Sequence, residues 1–279
     1  MTSTALDPAE LLHRLRARTA RSEPAESPIT HVEKVPARAG QPVDWPSWAA
    51  PALIEALGTH GIAQPWSHQA AAASLAHAGT HVVLATGTAS GKSLGYQLPV
   101  LTRLLSDERA TALYISPAKA LAADQLRAVA RLGLDGIRPA TYDGDTTREE
   151  RDWVRQNSRL ILTNPDMIHH SLLPGHQRWA QFLRRLSYVV IDECHAYRGV
   201  FGSHVAHVVR RLRRAAARYG GSPTFVLASA TSGDPGLTAS RLVGLPVEAV
   251  TDDGSPRGAV TFALWEPPLL PTCPPTATT

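Results

Sequence analysis

Between the apolar run His81-Val82-Val83-Leu84-Ala85 and an amphipathic stretch opening at Ser93 lies Thr86-Gly87-Thr88-Ala89-Ser90-Gly91-Lys92-Ser93. A β-branched run, a glycine-bearing turn and a helix start, in that order, predict a strand–loop–helix unit whose loop turns successive backbone N–H groups inward. Such a concave row of donors complements phosphate oxygens. In that arrangement Lys92 reaches the β- and γ-phosphates of a nucleoside triphosphate, and the Ser93 hydroxyl holds Mg2+. A helix predicted from Ser93 to about Leu105 adds the positive end of its dipole to the same place. The first position of the G-x-x-x-x-G-K-[ST] pattern is Thr86 instead of glycine. Taken alone, the loop also fits a strand–helix turn that binds nothing.

About a hundred residues downstream, the apolar run Tyr188-Val189-Val190-Ile191 ends in Asp192-Glu193-Cys194-His195. A buried strand therefore delivers two adjacent carboxylates to its C-terminal end. Beside a phosphate loop, Asp192 is placed to hold Mg2+ and Glu193 to position or deprotonate an attacking water. Open parallel sheets hold ligands at the carboxyl ends of their strands, so the two segments can meet in one crevice.

Strand-like runs at 81–86, 111–116, 138–142, 159–163, 188–192 and 224–229 alternate with helical patterning at 118–132, 148–156 and 203–219. This alternation predicts an α/β fold with a mostly parallel sheet and helices on both faces. An Ala-rich helical segment, Gln69 to Ala78, leads into the loop strand and carries Gln69 toward a bound base.

These segments resemble, in order, the motifs of the N-terminal motor domain of superfamily 2 helicases of the DEAD/DEAH-box type. The sequence 192–195 is similar to the second motif in a DECH form, which adds His195 to the residues around ATP. Gln69 in Trp66-Ser67-His68-Gln69 resembles the adenine-reading Q motif, and Ser116-Pro117-Ala118-Lys119-Ala120-Leu121-Ala122 resembles motif Ia. Tyr142-Asp143-Gly144-Asp145-Thr146 and Thr163-Asn164-Pro165-Asp166 stand where that family contacts the nucleic-acid backbone. Ser229-Ala230-Thr231 resembles motif III, which couples the ATP site to the strand. The stretches 86–93 and 192–208 are similar to a RecQ-related DNA helicase subgroup whose full-length members end in a zinc-binding domain.

The resemblance runs from about Trp45 to Trp265. It implies a RecA-like P-loop domain that uses ATP and Mg2+ and grips nucleic acid, DNA in preference to RNA, through Pro117, Lys119, Gly144, Thr163, Pro165 and Asp166. It also implies a second RecA-like domain that completes the site. On this basis residues 1–43 are expected to be a short helix and flexible linker, 44–258 the ATP-binding domain, and 259–279 a Pro/Thr-rich tail. A truncated or split chain, or a shifted reading frame after about Leu270, would account for such an ending. Two other classes stay open on the residues alone. One is a nucleic-acid-binding remnant without catalysis; the other is a nucleotide-dependent switch that never tracks along a strand.

The chain has 279 residues, 43% of them hydrophobic, which suffices for one sizeable core. Its formal charge of +4 is compatible with a polyanion partner. Arg210, Arg211, Arg213, Arg214 and Arg218 cluster on one predicted helix and are expected to form a solvated face. Two cysteines, Cys194 and Cys273, without metal spacing argue for a reducing cytoplasm and against a disulfide framework or zinc site. No apolar run is long enough to span a bilayer. The paired His169-His170 and the other histidines show no ligand pattern. Trp45, Trp48 and Trp66 flank a predicted helix at 47–58 and are expected to pack against the domain.

Overall fold

A computed structural model of the protein describes residues 7–19, 29–231 and 233–266. Contacts divide the chain into two compact units, one made of Met1–Ala39 with Pro256–Thr279 and the other of Gly40–Ser255. The strands are β1 (Ile29–Val35), β2 (Val82–Ala85), β3 (Thr111–Ile115), β4 (Pro139–Thr141), β5 (Leu160–Thr163), β6 (Leu186–Ile191), β7 (Thr224–Ser229), β8 (Glu248–Val250) and β9 (Val260–Trp265). The helices are α1 (Pro8–Thr19), α2 (Pro51–Thr59), α3 (Ser67–His77), α4 (Ser93–Ser106), α5 (Lys119–Arg131), α6 (Arg148–Asn157), α7 (Pro165–Met167), α8 (Ala180–Arg184), α9 (Gly199–Arg218) and α10 (Pro235–Val243).

In the larger unit seven strands form one parallel sheet in the order β4-β5-β3-β6-β7-β2-β8. The residues of β2, β3 and β5 are buried throughout, as two covered faces require of near-continuous apolar strands. Successive residues alternate between two cores. Val83, Leu113, Val189 and Phe225 face α9 through Val205, Val209 and Leu212. Val82, Leu84, Tyr114 and Val190 face α3 and α4 through Ala72, Leu98 and Leu101. Gly95 lets α4 lie close on β2, since a Cβ there would stand 2.8 Å from Leu84 Cδ2. Both edges are three-residue strands, and β4 opens with Pro139, which blunts the edge.

The helix expected at 47–58 runs Pro51–Thr59, because Pro51 suits the first helical turn and follows an extended Ala50. Trp48 stacks on His77 at 4.1 Å between ring centroids, and Trp45 Nε1 donates to Ala63 O at 2.9 Å, so both tryptophans pack as expected.

In the smaller unit β1 pairs antiparallel with β9, Val35 opposite Val260 and Glu33 opposite Phe262. The flexible linker expected within 1–43 and the tail expected over 259–279 therefore do not hold for these two strands. Pro, Glu and Arg averaged over the long window conceal the β-type run Ile29-Thr30-His31-Val32-Glu33-Lys34-Val35, and its partner lies more than 200 residues away. Residues 20–28 and 267–279, with Cys273 and the segment after Leu270, lie outside the described residues. Among the described residues no helix is long and apolar enough to cross a membrane.

Candidate functional site

The loop 86–92 leaves the carboxyl end of β2 and runs into α4. Ala89 (φ 61°) and Gly91 (φ 76°) both take left-handed backbone, which folds the loop into a concavity. Lys92 Nζ curls across it and donates to Thr86 O at 3.2 Å and Gly87 O at 2.8 Å. The buried hydroxyls of Thr86 and Ser90 stand 2.7 Å apart.

Two side chains of α3 support the loop from beneath. His68 Nδ1 accepts from Gly254 N–H at 3.1 Å, so in the neutral ring Nε2 carries the proton and donates to Ser90 O at 3.1 Å. Gln69 Oε1 accepts from Trp66 N–H at 2.8 Å, and its Nε2 donates to Gly91 O at 2.8 Å. A Cβ on Gly91 would stand 2.6 Å from that Nε2, so glycine is required for both its backbone and the close approach. Gln69 is 4% exposed and lines a cavity of about 510 Å³ with Pro42, Ile62, Trp66 and Gln97.

Asp192 follows directly on β6 and is buried. Its Oδ2 accepts from Tyr114 O–H at 2.6 Å and Tyr96 O–H at 3.0 Å, and its Oδ1 from Glu193 N–H at 2.9 Å. Tyr96 lies three residues after Ser93 on α4, so one hydrogen bond ties the loop helix to the carboxylate. Burial first, then the neighbouring Asp192 charge, raises the Tyr96 hydroxyl; burial, then Tyr96 and Asp192, raises that of Tyr114. Both stay protonated donors. Ser93 Oγ accepts from Gln125 Nε2 at 3.2 Å, and Gln97 in turn donates to Gln125 Oε1 at 3.0 Å.

Glu193 sits at φ 47°, a left-handed conformation uncommon for a residue with a side chain. Its Oε2 lies 3.1 Å from His195 Nδ1, which also faces Ala230 N–H at 3.1 Å. The segments 192–195 and 229–231 thus meet, with Ser229 Oγ donating to Ala230 O at 2.8 Å and Thr231 exposed. Thr88 is exposed at the tip of the loop.

The residues expected on a nucleic-acid strand divide in two. Lys119 Nζ donates to Asp145 Oδ2 at 2.7 Å and would lie 3.6 Å from a Cβ on Gly144, so this lysine shares one exposed patch with Gly144 and Asp145. The Asp145 hydrogen bond raises the Lys119 ammonium above its usual value. Pro117 is half-buried and Asp166 exposed. Thr163 is buried and its Oγ1 donates to Tyr142 O at 2.5 Å, and Pro165 is buried as well. The Thr163 hydroxyl therefore braces β5 against the 142–146 turn and does not face a strand.

The arginines of α9 are not simply a solvated face. Arg210 Nη2 donates to Arg241 O at 2.6 Å, and Arg213 Nη1 to Val243 O at 3.1 Å and Gly244 O at 2.8 Å. Both satisfy carbonyls at the end of α10, where cations also complement the helix dipole. Arg214 and Arg218 are exposed. Four supports of the site escape sequence reasoning: His68, Tyr96, Tyr114 and Gln125. The aromatic residues stand inside apolar runs that read as core, and only their hydroxyl partners distinguish them.

The family description DEAD/DEAH box helicase matches residues 66–237. The chain is 44% identical over 219 residues to the uncharacterized ATP-dependent helicase YprA of Bacillus subtilis, covering 77% of this chain and 29% of that protein. It is 46% identical over 214 residues to the ATP-dependent helicase HRQ1 of Saccharomyces cerevisiae, covering 74% of this chain and 20% of that one. The solved structure of helicase MrfA bound to DNA and AMPPNP superimposes with a TM-score of 0.87 at 38% identity, over 94% of this chain and 36% of MrfA. The chain spans less than a third of the length of either curated relative. With its seven-stranded sheet, its phosphate loop and its Asp192-Glu193 pair, the chain belongs to the DEAD/DEAH box helicase family and carries a RecA-like superfamily 2 motor domain.

Proposed function

We propose that this domain, which we assign to residues 44–258, binds MgATP and couples its hydrolysis to movement along DNA. The observation that carries the reading is the convergence of the loop 86–93 with Asp192 through the Tyr96 hydrogen bond, at the carboxyl ends of the parallel strands. The residues fit both groups. The left-handed pair Ala89 and Gly91 forms an anion-binding concavity, and Lys92 needs only to exchange two carbonyls for phosphate oxygens. Ser93 and Asp192 offer hard oxygen donors. Mg2+ at nucleotide sites takes one or two such groups beside the phosphates, so a larger ligand cluster is not needed.

Mg2+ bound there would neutralise charge on the phosphates. Lys92 neutralises the β- and γ-phosphates, and Glu193, held in its strained turn, orients and deprotonates the water. Thr86 to Ser90 supply backbone donors, and Gln69 borders the cavity where the base would lie. Lys119, Gly144 and Pro117, together with Asp166, would grip backbone phosphates without reading sequence. DNA is preferred over RNA on the strength of the MrfA complex. A second RecA-like domain would supply an arginine finger, worth on the order of 10³–10⁵ in rate. We place the protein in the reducing cytoplasm.

The test is steady-state ATP hydrolysis by the 279-residue chain, with and without single-stranded DNA, beside Lys92→Ala. Turnover stimulated by DNA and lost in the variant supports a working motor. MgATP binding without turnover supports a site completed by a second domain. Failure to bind MgATP refutes the proposal.

A further inference from the structure

The nucleotide loop and the Lys119 patch both lie at the carboxyl ends of the sheet. The opposite end, where β3, β6 and β7 begin, holds a second concentration of charge. A cavity of about 520 Å³ opens there between the starts of these strands and the end of α4. A smaller one of about 100 Å³ adjoins it, and the two share Arg109 and Arg185. Together they form a trough lined by seven arginines and only two carboxylates, Asp107 and Glu108.

Some of this charge is structural. Arg159 is buried and donates to Ala110 O at 3.2 Å, Gly136 O at 2.9 Å and Leu104 O at 2.6 Å, so it ties loops together. Arg103 pairs with Asp107 at 2.8 Å. Arg109 and Arg184 are different: both are exposed, and among the described residues neither side chain makes a hydrogen bond or ion pair. Arg185 lies half-buried between the two cavities. Arg138 adds a further exposed guanidinium close enough to Arg159 to depress its pKa, after the larger effect of burial. Like charges crowded at one end of a sheet cost free energy in the bare protein. A ligand with regularly spaced anions relieves that cost, and the planar guanidinium fork matches phosphate oxygens.

We propose that this trough is a second nucleic-acid contact, in which Arg109, Arg184 and Arg185 bind phosphates of a strand that reaches the end of the sheet opposite the nucleotide. Two adjoining cavities, each lined by arginines and joined at Arg109 and Arg185, favour a chain of phosphates over a single anion. The site is independent of the strand path proposed at Lys119.

Binding of a fluorescein-labelled single-stranded oligodeoxynucleotide to the full chain, by anisotropy at several salt concentrations, tests this. Each phosphate neutralised on a single strand contributes about 0.7 to the slope of log K against log salt. The triple variant Arg109→Ala/Arg184→Ala/Arg185→Ala should flatten that slope by about two, with MgATP affinity unchanged. The triple Lys variant should keep most of the slope, since charge is preserved. Lys119→Ala should remove at most about one from the slope and add to the effect of the triple Ala variant. A slope unchanged in the triple Ala variant overturns the trough proposal, whatever Lys119→Ala does. Loss of binding in the triple Lys variant equal to that in the triple Ala variant also overturns it, because a fold defect would then explain both. If DNA binding is unchanged while wild type, but not the triple Ala variant, sediments with phosphatidylserine vesicles, the ligand is a membrane surface and the proposal fails.

Discussion

Removing the Tyr114 hydroxyl isolates one bond of the site. Tyr114 is buried on β3, and Phe preserves its ring, so Tyr114→Phe deletes little except the donor that stands 2.6 Å from Asp192 Oδ2. A hydrogen bond to a charged group contributes about 1.5–3 kcal/mol. Asp192 keeps Tyr96 at 3.0 Å and Glu193 N–H at 2.9 Å, so its carboxylate is not orphaned and the lower half of that range applies. The expected cost is about 2 kcal/mol. For a unit of this size that lowers Tm by roughly 4–8 °C. In an Asp192→Asn background the acceptor is neutral, and neutral bonds are about half as strong, so the same substitution should cost about 1 kcal/mol. Urea unfolding of the four proteins closes a double-mutant cycle with a coupling near 1 kcal/mol. Equal cost in both backgrounds, or no cost in either, would refute the assignment of Tyr114 as a donor to a carboxylate.

Three further outcomes follow from particular contacts. Gly91→Ala combines a left-handed backbone with a Cβ 2.6 Å from Gln69 Nε2, so a fluorescent ATP analogue should bind about 30-fold more weakly, a loss near 2 kcal/mol. Burial, and after it Arg213, lowers the His81 pKa, and His81 Nδ1 accepts from Phe225 N–H at 3.1 Å, which requires the unprotonated nitrogen. A depressed histidine contributes stability that is complete above about pH 6.5 and lost as pH falls through the lower folded value. His81→Leu should therefore cost about 1 kcal/mol in urea unfolding at pH 7.5, and less at pH 5.5, where wild type has already lost part of this contribution. Burial pushes the Cys194 thiol up to about 12, so in a Cys273→Ser background iodoacetamide at pH 7.5 should modify native protein about a thousandfold more slowly than urea-unfolded protein, as the thiolate fraction falls.

The five inner strands of the sheet were legible because burial on both faces forces continuous apolar runs, whereas the edge strand β8, Glu248–Val250, was missed because it is three residues long and mostly exposed. Val82-Val83-Leu84-Ala85 and Leu160-Ile161-Leu162-Thr163 carry that demand in their composition. The ends of those runs announced the loop 86–93 and the pair Asp192-Glu193. The β1–β9 ribbon was not legible, because each strand depends on a partner distant in sequence and neither carries a turn signal that points to the other. The support beneath the loop was hidden for another reason. His68 stands on an Ala-rich helix where it would pass for an exposed polar residue, yet it is nearly inaccessible and bonded to the loop, while Gln69, legible as a base-reading residue, is bonded to the loop as well. Thr163 shows the converse. Its place in a family motif suggests contact with a strand, whereas its hydroxyl is taken by Tyr142 O.

Strand order is the step that motifs alone do not give. The loop follows β2 and the carboxylates follow β6, but β7 lies between them, so the segment from Ser229 emerges between the two halves of the site. His195 then stands at the junction. Its Nδ1 faces Ala230 N–H and a Glu193 oxygen at 3.1 Å each, and one ring nitrogen cannot serve both. Unprotonated, it accepts from Ala230 and presents a lone pair to the carboxylate. Protonated, it donates to Glu193 and repels the Ala230 amide. The two contacts compete for one nitrogen, and we propose that this competition is how 229–231 would sense the position of Glu193.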